Sequence, residues 1–314
     1  MTRKFWILWL LCALLSAFMI GLYQYAAYKS IRSNAVAHLQ DLSKSKQTAL
    51  QAQLGSAIGS LKEAVTYTNS TNNTLWNAET TNQFFDSITK KNPAIITLLM
   101  INANGMSVAS NRPTLIGGNF KNTPRYKAIS EHPDLNRIYI SEPFSTPLGN
   151  YTIALGAMLP NKEGGFGGYI LAIAAPAFFS EILSSDTAEY NVASALIHEN
   201  GFVIFRVPDS DDREASDLRA YPDSAFWKFL KTGANDALVT ALVPSTGLNN
   251  IVSYRRISFD GLETDRQLFL GLSIETDFLY EEWQKLGLEL FAVWVLIVGL
   301  GGLFVAWKTQ RLDV

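Results

Sequence analysis

One phrase of this sequence occurs twice, and the repetition decides the fold. "LLMINANGMSVAS" (Leu98–Ser110) and "SALIHENGFVIF" (Ser194–Phe205) each read as an apolar strand, an Asn-Gly turn and a second apolar strand. Asn-Gly tolerates the φ > 0 that a tight hairpin turn demands. The two turns, Asn104-Gly105 and Asn200-Gly201, lie about a hundred residues apart, the length scale of one domain. Further matches follow in the same order. "GNYTIALGAML" (Gly149–Leu159) parallels "NNIVSYRRISF" (Asn249–Phe259), and "GGYILAIAAPAFFSEIL" (Gly167–Leu183) parallels "RQLFLGLSIETDFLYEEW" (Arg266–Trp283). Three matches at nearly one offset predict two copies of an α+β module, each an antiparallel sheet with flanking helices.

Within the first module, "ETTNQFFDSITKKN" (Glu79–Asn92) is expected to be a helix with Phe84, Phe85 and Ile88 on one face, ended by Pro93. "RIYISEPFS" (Arg137–Ser145) reads as a strand with Ile138 and Ile140 on one face and Tyr139 and Ser141 on the other. In the second, "YPDSAFWKFLKTG" (Tyr221–Gly233) is a helix capped near Asp223 and stopped by Gly233. "SSDTAEYN" (Ser184–Asn191) joins the modules.

The chain has 314 residues, a net charge of −2 and 48% hydrophobic residues, which excludes both a basic nucleic-acid binder and a disordered tail. Its apolar excess is concentrated at the two ends. Phe5–Tyr28 carries no charge, and Leu286–Trp307 carries only Glu289. A span needs about 20 apolar residues, and both blocks qualify. The first is too long for a secretory leader and lacks a small-x-small cleavage site. Cys12, the sole cysteine, excludes an internal disulfide and reads as an apolar filler. Lys308 and Arg311 beyond the second span, with Glu281, Glu282 and Lys285 before it, place the C-terminus in the cytoplasm and return the N-terminus to the same side. Glu289 reads either as a functional intramembrane acid or as a carboxylate snorkelling at the interface. Gly299, Gly302 and Ala306 either let another helix approach or simply face lipid.

Between Ser30 and Thr68 there is no proline, and Leu39, Leu42, Leu50, Leu54, Ile58, Leu61 and Val65 recur at spacings near three and four, a long stalk helix continuous with the first span and ended by "NSTNN" (Asn69–Asn73). Its stripe is longer than one module needs, which leads us to expect a homodimer through the stalk; the alternative is that the stripe packs on the chain's own modules.

His38, His132 and His198 share no metal-ligand spacing, and there is no nucleophile motif. "GGFGG" (Gly164–Gly168) reads as a hairpin connection and "DSDD" (Asp209–Asp212) as a solvated loop lacking a full calcium-loop series. Neither an enzyme nor a cofactor is expected.

Membrane helix, stalk, two tandem sheet modules and second membrane helix together resemble a double-Cache extracytoplasmic sensor. "YISEPFST", "GGYILAIAAPAFF", "IHENGFVIFRVP" and "SYRRISFDG" are most similar to the sensor halves of bacterial membrane diguanylate cyclases and histidine kinases. The resemblance implies two PAS-like modules, membrane-distal at 76–185 and membrane-proximal at 186–285, after a span at 1–28 and a stalk at 29–75, and before a span at 286–307 and a cytoplasmic tail at 308–314. It implies a two-pass protein of the bacterial inner membrane with a periplasmic centre. It also implies a small ligand between the distal sheet and "FKNTPRYKAISEH" (Phe120–His132), with Arg125, Tyr126, Tyr139, Ser141 and Tyr151 as ligand-binding residues.

Family members that bind amino acids need a cation for the carboxylate and an acid for the ammonium. Here Thr123 stands where the arginine is expected, and Ile173 and Ala174 where the acid is expected, so free amino acids are expected to bind poorly. Arg125 suits an anionic ligand and equally suits a surface position. The expected function is a small-molecule sensor that passes its state to a cytoplasmic kinase or cyclase output absent from these residues, supplied in cis or in trans, since those after the second span are too few to fold as one. The alternative is a non-sensing scaffold or regulator of another membrane or export protein, which would need no ligand cavity.

Overall fold

The computed structural model describes residues 2–71, 77–146, 149, 151–208, 219–243 and 247–312; the Asp209–Asp212 run lies outside them. The chain divides into two units, residues 39–273 and a helix pair formed by residues 1–38 with 274–314.

Residues 39–273 carry two antiparallel sheets. The first contains β1 (Ile95–Asn102), β2 (Ser107–Ser110), β3 (Arg137–Ile140), β6 (Ala154–Pro160) and β7 (Phe166–Ala174); β4 (Phe144–Ser145) and β5 (Tyr151–Thr152) form a separate small hairpin. The second contains β8 (Ala193–His198), β9 (Val203–Val207), β10 (Asp236–Val243), β11 (Leu248–Ile257) and β13 (Leu268–Glu275). Among the described residues the strand orders are β3-β6-β7-β1-β2 and β10-β11-β13-β8-β9, the same path through the sheet traced twice.

The duplication extends to single hydrogen bonds. Asn102 N donates to Met106 O at 2.9 Å and Gly105 N to Asn102 O at 2.9 Å; His198 N donates to Phe202 O and Gly201 N to His198 O, both at 2.8 Å. Each hairpin is irregular at the matching place, between Met100 and Ile101 and between Leu196 and Ile197. The turns are therefore wider than a two-residue hairpin, because Asn102 Oδ1 accepts from both Asn104 N and Met106 N and holds the loop open. Gly105 and Gly201 sit at φ +83° and +82°, where a Cβ would lie 2.6 Å from Lys121 Cβ or 2.4 Å from the Trp227 ring.

One strand crosses between the halves. β12 (Glu263–Thr264) pairs in parallel with β3 and makes the first sheet six-stranded. Asp265 fixes this joint: its Oδ1 accepts from Ile140 N at 2.7 Å and its own N donates to Ile138 O at 3.1 Å.

α1 (Thr2–Thr71) is a single helix, and over 39–68 it packs on both lobes. Leu39, Leu42, Leu50, Leu54, Ile58 and Leu61 are buried, with Ser43, Lys46, Ala57, Ala64 and Thr68 on the same stripe. Polar bonds lock the register. Asn92 Nδ2 reaches Ser56 Oγ and Ser60 Oγ in the first lobe, while Arg255 Nε donates to Ser43 Oγ and Gln47 Nε2 to Arg256 O in the second. The buried part of the apolar stripe is thus covered by the chain's own lobes.

α2 (Ala78–Lys91) is capped by Asn77 and buries Phe85 and Ile88 as expected, but Phe84 instead stacks on Tyr67 of α1. β3 stops at Ile140, short of the expected Ser145, at a segment containing Pro143, which has no N–H to give a ladder. α5 (Ala225–Thr232) starts at an N-cap of Ser224, beside Asp223, and ends at Gly233 in the left-handed conformation.

In the other unit, residues 2–38 of α1 and α6 (Thr276–Leu312) run antiparallel in a continuous register. Lys308 sits over Phe5, Trp9 against Gly301 and Gly302, Trp294 Nε1 donates to Ser16 Oγ at 3.0 Å, Trp283 Nε1 to Gln24 O at 3.0 Å, and Tyr28 stacks on Tyr280. Both helices are long and apolar enough to cross a membrane. Trp9 of the same chain packs against Gly301 and Gly302, whereas a Cβ added at Gly299 would meet no described residue of another element within 4 Å.

Candidate functional site

The expected site lies between the first sheet and α3 (Pro124–Glu131). Thr123 forms the N-cap of α3: its hydroxyl accepts from Tyr126 N at 3.3 Å and donates to Phe120 O at 2.7 Å. The position that the resemblance gives to an arginine is thus used here to start a helix. α3 then directs Tyr126 and Ile129 into the sheet, where they join Tyr139, Tyr169, Leu171 and Ile173 in one core, with Phe120, Phe144 and Phe166 packed at its edge.

This packing leaves a cavity of only 20 Å³, lined by Arg125, Ile129, Tyr139, Ser141, Leu171 and Asp265 among others. That is room for about one water molecule. Of the five expected ligand residues, Arg125, Tyr139 and Ser141 line it. Tyr126 is in the adjoining core with its hydroxyl donating to Ala103 O, and Tyr151 sits apart on the β4–β5 hairpin. Two of the liners have structural work as well: Ser141 Oγ accepts from Ala154 N at 2.9 Å, and the Tyr139 hydroxyl donates to His132 O.

The charged groups at the cavity are unevenly satisfied. The Arg125 guanidinium stacks on Phe144, 3.8 Å from the ring centroid, and its Nε is buried without a hydrogen-bond partner. Burial lowers its pKa from the usual arginine value. The Tyr169 hydroxyl is buried beside Thr123; burial raises its pKa, against smaller pulls from Arg125 and from the Thr123 hydroxyl. Asp265 supplies an acid that sequence reasoning missed. It arrives from beyond β12, not from β7, and no apolar pattern marks a two-residue strand. Burial raises its pKa, and the bond from Ile140 N opposes that shift.

Larger concavities lie in the same unit. A cleft of 1020 Å³ between the lobes is lined by Arg137, Arg256 and Arg266, each already engaged: Arg137 with Asp134 at 3.4 Å, Arg266 with Glu199 at 2.7 Å, and Arg256 with Gly233 O at 3.1 Å. The second lobe holds a cavity of 210 Å³ between its sheet and α5. Among the described residues no group of three or more His, Cys, Asp or Glu is placed to hold a metal ion.

No protein-family model and no curated protein matches the sequence. Solved structures do match in fold. The periplasmic sensory domain of the Campylobacter jejuni chemoreceptor Tlp1 superposes with a TM-score of 0.64 at 11% identity, covering 80% of this chain and 98% of that one. The ligand-binding domain of the Pseudomonas fluorescens chemoreceptor CtaA, in complex with L-isoleucine, gives 0.58 at 15% identity over 82% and 99%. An extracellular ligand-binding receptor from Desulfohalobium retbaense gives 0.59 at 16% identity; the match covers 76% of this chain but only 40% of that receptor. The chain thus has the fold of Cache-type periplasmic sensory and ligand-binding domains.

Proposed function

We infer that the chain is a membrane-anchored sensor in which two tandem PAS-like modules, residues 76–185 and 186–285, lie outside the cytoplasm between two spans. Ligand state passes along the helices to a cytoplasmic kinase or cyclase output. The observation that carries this reading is one of continuity. β13, a central strand of the second sheet, ends at Glu275, and α6 begins at the next residue and runs to Leu312. α1 likewise runs unbroken from the first apolar segment through the seam of both lobes. This continuity of chain supports a route by which a rearrangement of the lobes reaches an apolar helix. The sensory-domain fold of the solved neighbours supports a binding role over a catalytic one.

The filled first-lobe core favours the scaffold alternative on its own, since a scaffold needs no cavity. The second-lobe cavity favours sensing. The test uses the full chain in lipid nanodiscs, with Cys12→Ser and spin labels at Leu8 and Leu303, both exposed on the apolar helices. A small-molecule library is first screened by thermal shift. A stabilising compound should change the interhelical distance by about an ångström or two; a compound that stabilises the lobes and leaves the distance distribution unchanged contradicts transmission.

A further inference from the structure

The second lobe offers ten times the space of the first at the equivalent place. Its cavity of 210 Å³ opens between the sheet and α5, as the 20 Å³ cavity does between the first sheet and α3. The walls are apolar: Val252 on β11, Phe226 on α5, and the ring of Tyr254. Two arginines line it, Arg206 from β9 and Arg219 from the approach to α5, and no acid is present among the described residues that do. Arg219 is held by stacking on Phe202, 3.8 Å from the ring centroid, which fixes where its charge sits.

A hydroxyl adds to this. Ser224 occupies the N-cap position of α5 but caps nothing, and its Oγ is buried without a hydrogen-bond partner. The equivalent Thr123 in the first lobe makes two hydrogen bonds. A buried hydroxyl without a partner carries a desolvation cost that a bound polar group would relieve. Apolar walls, paired cations and an unanswered hydroxyl define an anion with a compact apolar body, because such a ligand buries its carbons against Val252 and Phe226 and its charge against the arginines.

We propose that the second lobe binds a small monocarboxylate with a short aliphatic or aromatic body, in the cavity between Val252, Phe226, Ser224, Arg206 and Arg219. This rests on the sensor reading for its purpose, but not for its geometry. The probes are hexanoate and benzoate, with hexanamide as the neutral control, titrated calorimetrically into the full chain in nanodiscs. Saturable binding of at least one carboxylate is expected, at least tenfold tighter than the amide. R219Q, on an exposed side chain, should weaken it about tenfold or more, and V252W, which fills the cavity, should abolish it. Should V252W fail to fold, S224A replaces it and is expected to weaken binding several-fold. No saturable carboxylate binding overturns the proposal, as does binding that the amide equals or that R219Q leaves unchanged. Binding that meets these criteria without a change in the Leu8–Leu303 distance upholds the site and counts against transmission, so the two failures are distinguishable.

Discussion

Lys46 lies in the middle of α1 with 2% of its surface exposed, and its ammonium donates to Ile182 O at 2.8 Å, Leu183 O at 3.0 Å and Ser185 O at 2.6 Å. These are the open carbonyls at the end of α4 (Pro176–Ser184), so one side chain of the stalk closes the helix that leads from the first lobe to the second. Lys46→Met keeps the stem and removes the donors. Leaving a buried acceptor unsatisfied costs about 1–3 kcal/mol, but Ile182 and Ser185 are partly open to water, and the methionine escapes the desolvation of the ammonium. The net loss should be about 2 kcal/mol. At about 2–4 °C per kcal/mol for a unit of this size, that lowers Tm by about 4–8 °C in a thermal melt of the full chain. The pH dependence has a defined sign. Burial pulls the Lys46 pKa from 10.5 to about 8, so between those values the unfolded chain holds a proton that the folded one has released. Stability from this group therefore rises with pH across the window, and the gap between wild type and Lys46→Met should widen from pH 8 to 10.5. An unchanged or raised Tm in Lys46→Met, or a gap that narrows over that range, would refute the reasoning.

Gly168→Ala should destabilise the first lobe by more than about 2 kcal/mol, since φ is +132° and a Cβ would lie 2.3 Å from Ile101 O; chemical denaturation measures it. Trp294→Phe removes the bond to Ser16 between the apolar helices and should weaken their pairing by about 0.6 kcal/mol, read by steric trapping or crosslinking, with Ser16→Ala equivalent and the double variant no worse. Free amino acids should not stabilise the chain in a thermal-shift screen. The reason has moved from a missing acid to a missing volume, because Asp265 reaches the first-lobe cavity but only 20 Å³ is open there. A clear rise in Tm with any amino acid, lost in Arg125→Gln, would contradict this.

The sequence was informative wherever structure repeats or follows a period. The two Asn-Gly phrases announced hairpins that agree down to the position of their irregularities, because turn chemistry is local. The proline-free heptad-like stretch announced α1, since only a helix puts Leu39, Leu50, Leu54 and Ile58 on one stripe. What was hidden depends on long-range packing. β12 has two residues and no apolar alternation, so nothing local marks Glu263–Thr264 as a strand or Asp265 as the acid that lines the first-lobe cavity. Whether the first-lobe site is open turns on how Tyr126, Tyr139 and Tyr169 fill the space between sheet and helix, which residue identity alone does not determine. The polarity of Lys46 and Ser43 on an otherwise apolar stripe was a local signal of buried partners, one that periodicity reading passes over.

Sidedness tests the account most directly. In a Cys12→Ser background, Glu63→Cys reports on the exposed surface of α1 beside the lobes and Lys308→Cys on the far end of α6. A membrane-impermeant maleimide applied to intact spheroplasts should label Glu63→Cys fully and Lys308→Cys only after the membrane is opened. Labelling of both positions in sealed spheroplasts, or of Lys308→Cys alone, would contradict two lobes held outside the cytoplasm by a helix at each end.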